Sequence, residues 1–227
     1  MDWKKILNLL FRLFIGLFLY SIGIVMTINS NLGLAPWDVF HQGLAVKTNM
    51  TIGQASILVG IVLVIINSFF KEKLGWGTLT NMIFIGLFID VLMLNHMIPV
   101  FENYILSFIM MCSGMFIIGL ASYYYMGAAL GSGPRDGLMV VLTKKTKKSV
   151  RLIRNSIEVT VLIIGYFLGG YFGLGTIFMA VTIGFFVQLA FKLLKFDVAS
   201  IEHRFIDEDI KWIKQRLMQK NKFKTEK

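Results

Sequence analysis

The sequence predicts an all-α integral membrane protein with six transmembrane helices in an inverted 3+3 repeat and two short re-entrant or interfacial half-helices. The first observation is composition: 56% of the 227 residues are hydrophobic, 16% are charged, and the mean hydropathy is +0.70. A soluble domain of this length cannot bury so much apolar surface, so the chain belongs in a bilayer. The other two observations are an internal duplication and the distribution of basic residues between the apolar segments.

Two motifs recur 98 residues apart in a single register. Leu32–Asp38 reads Leu-Gly-Leu-Ala-Pro-Trp-Asp and aligns with Leu130–Asp136, which reads Leu-Gly-Ser-Gly-Pro-Arg-Asp. Gly75–Thr78 aligns at the same offset with Gly173–Thr176, and both read Gly-x-Gly-Thr. Chance does not readily keep two multi-residue motifs in one register, so the sequence predicts a tandem duplication.

Six apolar segments are the predicted spans, because with a residue or two of flank most reach the roughly 20 residues that a membrane helix needs. They are Leu13–Ile28, Ala55–Phe70, Leu79–Leu94, Ile105–Met126, Ile157–Phe172 and Ile177–Leu194. The first is predicted to be a retained span, since no small-x-small cleavage site ends it. We expect residues 1–195 to form one transmembrane domain, with repeat 1 at about 11–95 and repeat 2 at about 109–193.

Basic residues cluster in alternate connections. Lys4, Lys5 and Arg12 lie at the amino terminus, and seven Lys or Arg residues lie between the fourth and fifth segments, whereas residues 95–103 contain none. Because basic loops stay on the cytoplasmic side, both termini are predicted inside. Three spans per repeat is an odd number, so the repeats cross the membrane in opposite directions, as in many secondary transporters.

Each repeat also contains a short apolar stretch that opens with Pro-x-Asp and is too short to cross the membrane. Proline suits the first turn of a helix, where its missing N–H costs no bond. An aspartate in that turn favours the positive helix end and can accept hydrogen bonds from unpaired N–H groups. The sequence therefore predicts two short helices, Pro36–Val46 and Pro134–Thr143, with Asp38 and Asp136 in their first turns.

These half-helices have two alternative placements. If they dip into the membrane from opposite faces, their amino ends converge near the midplane and form an ion or substrate site. If they lie flat at the interface, they cap the bundle and form no site.

The triplets Pro-Trp-Asp at Pro36–Asp38 and Pro-Arg-Asp at Pro134–Asp136, with the two Gly-x-Gly-Thr motifs, resemble the bacterial YczE/YyaS/YitT membrane proteins. The pair of triplets resembles the YczE-like branch in particular. The resemblance covers about residues 10–195. It implies an integral protein of a bacterial plasma membrane, and it supplies no substrate.

Trp37 and Arg135 occupy equivalent positions at the two helix starts. An arginine beside a helix amino terminus is a natural ligand for a carboxylate or phosphate, and with a tryptophan it suits an organic anion or an amphipathic molecule. The alternative is that Arg135 pairs with Asp136 or reaches lipid headgroups. His41, one turn beyond Asp38, either titrates in the site near neutral pH or has a structural role.

Asp90 lies near the outer end of the third segment, and Gln188 occupies its place in the sixth. Polar side chains inside spans are costly and often functional. Asp90 is therefore either a proton or cation site, or a structural carboxylate near the interface or between helices. The candidate substrate-binding residues are Pro36, Trp37, Asp38, His41, Asp90, Arg135, Asp136 and Gln188.

The sequence offers little for catalysis, so we expect neither an enzyme nor a cofactor. It contains no Gly-Lys-Ser/Thr phosphate loop, no Gly-x-Ser-x-Gly and no His-Glu-x-x-His motif. Cys112 is the single cysteine, and the three histidines lie in different regions, so no metal site is expected.

Residues 196–227 are predicted as a basic amphipathic tail on the cytoplasmic side. Ile206, Ile210, Ile213 and Leu217 recur at helical spacing, with acidic residues before them and basic ones after. Such a helix rests on anionic lipid, which accounts for much of the net charge of +10 without a nucleic-acid partner.

The architecture favours a small transporter or permease for a small solute, an argument by analogy with other inverted repeats. The alternative is a non-transporting membrane partner, such as a substrate-capture subunit or a helper of a biosynthetic or regulatory complex. The expected partners are membrane lipid, the solute, and either a second copy of the chain or another membrane protein.

Overall fold

A computed structural model describes residues 3–198, 201, 203–208 and 210, with side chains from Leu7 onward. Within these residues the chain forms eight α-helices of 13 to 27 residues and no β-strand. They are α1 (Trp3–Asn29), α2 (Pro36–Thr48), α3 (Ile52–Phe69), α4 (Trp76–Leu94), α5 (Tyr104–Gly127), α6 (Pro134–Thr146), α7 (Val150–Phe167) and α8 (Leu174–Leu193).

The helix starts follow the spacing of the sequence motifs. Helices α6, α7 and α8 begin 98 residues after α2, α3 and α4, respectively. Pro36 and Pro134 lie in the first turns of α2 and α6, as their missing N–H groups favour. Both short helices extend beyond their predicted ends at 46 and 143, to Thr48 and Thr146, and each is followed by a residue in the left-handed conformation.

Four long helices form the centre of the bundle. Among the described helices, α1 and α5 share the most extensive contact, α4 packs on α1, and α8 packs in the equivalent place on α5. A Cβ on Gly23 or Gly114 would meet the carbonyl oxygen of the other glycine, so their lack of side chains permits this close approach of α1 and α5. The short helices cross between the halves, since α2 packs mainly on α7 and α6 on α3.

The Gly-x-Gly-Thr motifs hold the loops that precede the short helices. Gly77, at the start of α4, donates its N–H to the carbonyl oxygen of Leu130 at 2.7 Å. Gly175, at the start of α8, donates to the carbonyl oxygen of Leu32 at the same distance. Each motif therefore fixes the short helix of the other half, a role that the sequence analysis did not predict.

The partners of these motifs are glycines that need their conformational freedom. Gly33 and Gly131 have φ angles of 125° and 113°, which side chains rarely adopt. A Cβ on Gly33 would lie 2.6 Å from Oγ1 of Thr176, and one on Gly131 would lie 2.9 Å from Oγ1 of Thr78. Conformation and packing therefore both require glycine in the two loops.

Hydrogen bonds between the loops divide them into two sets, one at each end of the bundle. At one end, Asn29 donates to the carbonyl oxygen of Ile98 at 2.8 Å. At the other end, Lys144 of α6 forms a 2.6 Å ion pair with Glu72 in the loop after α3. The first set consists of loops predicted outside and the second of loops predicted inside. Tyr171, in the loop after α7, donates to the carbonyl oxygen of Asn31 at 3.3 Å, so α7 begins beside the second set, after α6, and ends beside the first.

Five helical segments in the described part of the chain are long and apolar enough to cross a membrane. They are Leu7–Asn29, Ile52–Phe69, Trp76–Leu94, Tyr104–Gly127 and Leu174–Leu193. Helix α7 has 18 residues but carries Arg151, Arg154 and Glu158. Many apolar side chains on the outside of the bundle are exposed, as Phe167 is at 79%, and this surface suits lipid. The chain is thus an all-helical membrane protein.

The described part of the tail returns to the bundle. The N–H of Arg204 donates to the carbonyl oxygen of Ala129 at 2.8 Å, and Glu208 forms a 3.0 Å ion pair with Lys73. The hydrogen bond to Glu208 raises the pKa of Lys73, and burial lowers the pKa of His203. The rest of the predicted amphipathic helix, including Ile213 and Leu217, lies outside the described residues.

Candidate functional site

A polar cavity of about 230 Å³ lies between the two halves, where α2 and α6 begin. It has room for several water molecules, at about 30 Å³ each. Helices α1 to α7 and the loop before α6 contribute to its wall. Its polar lining consists of Tyr20, His41, Ser56, Asn81, Ser122, Tyr125, Arg135, Asp136, Arg154 and Glu158.

Arg135 lies at the centre of this wall, in the first turn of α6. Its guanidinium carbon is 4.6 Å from the ring centroid of Trp37, in the first turn of α2, and Nη2 is 3.4 Å from Nε2 of His41. The two helix starts therefore meet through a cation–π contact. None of the ion pairs among the described residues includes Arg135, so the structure shows neither the alternative pairing with Asp136 nor an ion pair with another described carboxylate.

His41 connects Arg135 to a buried carboxylate. Nδ1 of His41 lies 3.5 Å from Oδ1 of Asp38 and has no hydrogen-bond partner among the described residues, and the two residues are 1% and 5% exposed. Since Nε2 faces a guanidinium, which can only donate, we infer that Nδ1 carries the proton and points to Asp38. Asp38, predicted to accept the unpaired N–H groups of its helix, makes no such cap and faces the histidine instead.

Asp136 differs from its counterpart Asp38 in its surroundings. Its side chain is exposed to the cavity and lies beside the Gly133 backbone, and no cation lies within ion-pair distance among the described residues. Arg154 and Glu158, one turn apart on α7, form a 3.1 Å ion pair that faces the same cavity. Among the described residues, Arg135 and Asp136 are therefore the charged side chains that line the cavity without an ion-pair partner.

Sequence reasoning missed several polar residues of this region, among them Tyr20, Tyr125, Ser122 and Asn67. Tyr20 and Tyr125 line the cavity, and Ser122 donates a 3.1 Å hydrogen bond to the Tyr20 hydroxyl group. Asn67 is 1% exposed and donates to the carbonyl oxygen of Pro134 at 2.8 Å, which fixes the start of α6. The signal for all four was a polar group inside an apolar segment, where an unpaired group is costly.

The structure does not bring all the candidate residues together. Trp37, His41, Arg135 and Asp136 line the cavity, whereas Asp90 and Gln188 lie outside its wall. Asp90 instead accepts hydrogen bonds from the start of α3, and Gln188 is exposed on α8. Pro36 and Asp38 are buried behind the wall, in the first turn of α2.

No group of three His, Cys, Asp or Glu side chains that suits a metal ion is present in the part of the chain that the structure describes. The polar groups of the cavity are guanidinium, carboxylate, imidazole, hydroxyl and amide groups, which suit reversible binding of a polar molecule. The fold and the cavity therefore define an all-helical membrane protein with a polar chamber inside its bundle.

The chain belongs to a family of unknown function, DUF6198, which it matches over residues 7–192. It is 37% identical over 194 residues to the uncharacterized membrane protein YczE of Bacillus subtilis (strain 168), a match that covers 82% of this chain and 88% of YczE. It is 36% identical over 195 residues to an uncharacterized protein of Haemophilus influenzae, which covers 85% and 86% of the two chains.

The uncharacterized protein YyaS of Bacillus subtilis is 29% identical to this chain over 166 residues, which cover 72% of this chain and 82% of YyaS. No solved structure matches the chain significantly. The resemblance to YczE and YyaS that the motifs indicated is thus confirmed.

Proposed function

We propose that the protein is a small-solute transporter and that the cavity between α2 and α6 is its binding site. The observation that supports this most is the contact between Trp37 and Arg135, which unites the starts of two short helices inside the bundle. Short helices from opposite repeats that meet at a polar chamber form the substrate site in many secondary transporters. The proposal involves no catalytic step and no cofactor.

The proposed topology has six spans in an inverted 3+3 repeat, in which α7 joins the five apolar helices and is the fifth span along the chain. Its charged residues do not oppose this placement. Arg151 lies in the first turn, where a membrane interface suits it, and Arg154 and Glu158 form an ion pair that faces the cavity. The two sets of loop contacts support the placement, because α7 connects them.

The proposed solute is a small organic anion or an amphipathic molecule with an anionic group. Arg135 presents a planar fork of donors that suits carboxylate and phosphate, and its contact with Trp37 leaves it without a competing carboxylate. Apolar side chains such as Ile24, Val59 and Met139 complete the wall and suit the rest of such a molecule.

Uptake into liposomes tests the transport proposal. The purified protein, reconstituted alone, should take up at least one radiolabelled solute from a panel of carboxylates, phosphates and zwitterions, and protein-free liposomes should take up none. If binding is detected in the panel but uptake requires an added partner, the protein is a non-transporting capture subunit, which is the alternative from the sequence.

We also propose that both termini lie in the cytoplasm, at the plasma membrane of a bacterium. In a Cys112→Ala background, Pro99→Cys should react with a membrane-impermeant maleimide in intact cells, whereas Thr146→Cys should react only after the cells are opened. The two positions belong to opposite loop sets in this arrangement, and basic residues concentrate around the second. Reaction of Thr146→Cys in intact cells would contradict the orientation.

A further inference from the structure

We propose that the structure shows a state open to the cytoplasm, and that α7 closes onto α8 when α3 separates from α4 to open the other side. This proposal rests on the proposed transport function, because the change between the two states would serve to move the solute across the membrane. Its evidence is a difference between two helix pairs that stand at equivalent positions in the two halves: α3 packs along α4, but α7 makes at most marginal contact with α8.

The pair α3 and α4 is closed by four residues, which we call the outer latch: Thr51, Gly53, Gly86 and Asp90. Oδ2 of Asp90 accepts a 2.6 Å hydrogen bond from the Thr51 hydroxyl group, and Oδ1 accepts a 2.9 Å bond from the N–H of Gly53. A Cβ on Gly53 would collide with the Gly86 carbonyl oxygen. The two backbones therefore touch, and the Asp90 carboxylate caps the start of α3.

The equivalent residues 98 positions later, Ser149, Arg151, Gly184 and Gln188, form what we call the inner latch, and it is open. A Cβ on Gly184 would meet nothing within 4 Å, in contrast to one on Gly86. The side chain of Gln188 is exposed and makes no hydrogen bond to any described residue. The inner latch therefore lacks both contacts that hold the outer one.

The start of α7 is already arranged to receive Gln188. Oγ of Ser149 accepts the N–H of Leu152 at 3.3 Å, just as Oγ1 of Thr51 accepts the N–H of Gln54 at 3.0 Å. The hydroxyl hydrogen of Thr51 goes to Asp90, and that of Ser149 remains to be donated. The amide oxygen of Gln188 has two acceptor positions, so it can receive this hydrogen and the N–H of Arg151.

The substitution of arginine for glycine is the largest difference between the two latches. Arg151 stands where Gly53 stands, so its Cβ prevents α7 from approaching α8 as closely as α3 approaches α4. The side chain of Gln188 is one methylene longer than that of Asp90, which compensates for part of this separation. The closed inner latch is therefore wider than the outer one and is held by neutral hydrogen bonds, which are weaker than those of a carboxylate.

Movement of α7 would reach the binding site directly. A Cβ on Gly165 of α7 would lie 2.5 Å from the backbone of Phe40, and one on Gly43 of α2 would collide with the Gly165 carbonyl oxygen. Because α2 and α7 touch backbone to backbone, they move as one unit. Closure of the inner latch would then shift Trp37 and His41 relative to Arg135, which α6 carries on the opposite unit with α3.

Crosslinking of the inner latch tests the proposal without knowledge of the solute. In a Cys112→Ala background, Ser149→Cys/Gln188→Cys in membranes should react with a short dithiol crosslinker. Adding Asp90→Ala, which removes two hydrogen bonds to a carboxylate, should raise the crosslinking rate about tenfold, a change equivalent to about 1.4 kcal/mol. The single-cysteine variants are the control for crosslinking between molecules. Glu72→Cys/Lys144→Cys is the control within one unit, and it should react at the same rate with or without Asp90→Ala.

Gly184→Leu provides the matched test of closure. It should leave the melting temperature of the protein unchanged or slightly higher, since its Cβ meets open space and leucine favours a helix. It should nevertheless reduce the crosslinking rate at least about tenfold, because the side chain would stand between α7 and α8. Gly86→Leu should instead destabilise the protein, because a Cβ there meets the Gly53 carbonyl oxygen and the Ile57 side chain.

The outcomes separate this inference from the transport proposal. Crosslinking that responds neither to Asp90→Ala nor to Gly184→Leu overturns the inference, even if the liposomes take up solute. Crosslinking that responds to both supports two states of the bundle, even if the liposomes take up none of the solutes, in which case transport is the proposal that fails.

Discussion

Gly33→Ala should destabilise the protein by about 3 kcal/mol or more and remove α2 from its place beside the cavity. A Cβ on Gly33 would lie 2.6 Å from Oγ1 of Thr176 and 2.8 Å from the backbone nitrogens of Gly173 and Thr176. Overpacking of this kind costs about 1–3 kcal/mol. The φ of 125° adds a conformational cost of about 1–3 kcal/mol, which alanine cannot relieve without moving the loop.

Gly169→Ala is the matched control, because it shares the conformation and lacks the collision. Its φ is 98°, and a Cβ there would meet only Cγ1 of Val46, at an ordinary 3.7 Å. Thermal unfolding in detergent, followed by tryptophan fluorescence, should therefore show a clearly smaller loss for Gly169→Ala. Equal losses for the two variants would mean that the collision of a Cβ at position 33 with the start of α8 adds no cost to that of the backbone conformation.

The duplication made most of the helix pattern predictable from the sequence. Helical starts are specified locally, by Pro36 and Pro134 and by the Gly-x-Gly-Thr motifs, and these signals survive in both halves. The same local chemistry does not specify a partner. Which helix packs on which depends on contacts between residues far apart in the sequence. Neither motif alone could therefore predict that α2 packs on α7, and α6 on α3, each in the other half.

The candidate site was predictable for residues that stand at helix starts and not for those within spans. Arg135 was named because an arginine beside a helix amino terminus suits an anion, Trp37 because it is the equivalent residue in the first repeat, and His41 because it follows Asp38 by one turn. Tyr20 and Tyr125 are common in membrane helices, so their approach to the cavity could be found only in the packing of α1 against α5.

Asp90 was singled out from the sequence, but its partners could not be predicted. A carboxylate in an apolar segment predicts a polar partner, but its identity depends on the register between two helices. The structure gives Thr51 and Gly53 as the partners, at the start of α3. The sequence does contain a signal for these partners. A carboxylate is favoured at a helix amino terminus, and Thr51 begins a helix with a capping box.

Arg135→Gln should lower the affinity of the protein for an anionic solute by roughly 30-fold, the equivalent of about 2 kcal/mol for a charged hydrogen bond. The residue faces the cavity, contacts Trp37 and His41, and has no carboxylate partner among the described residues, so its free N–H groups are available to a ligand. Thermal shift of the purified protein with a panel of carboxylates and phosphates measures the effect.

Arg135→Lys separates recognition by the guanidinium from simple charge. Lysine keeps the positive charge but loses the planar fork and stacks less well on Trp37. The affinity of Arg135→Lys for the anion should therefore lie between that of the parent and that of Arg135→Gln. Lys148→Gln removes a charge from an exposed residue just after α6 and should leave affinity unchanged. The melting temperature without ligand should be similar in the parent, Arg135→Lys and Lys148→Gln, which shows that any lost shift reflects binding.

If the panel stabilises Arg135→Gln as well as it stabilises the parent, the anion does not bind at Arg135, and the solute site lies elsewhere in the bundle.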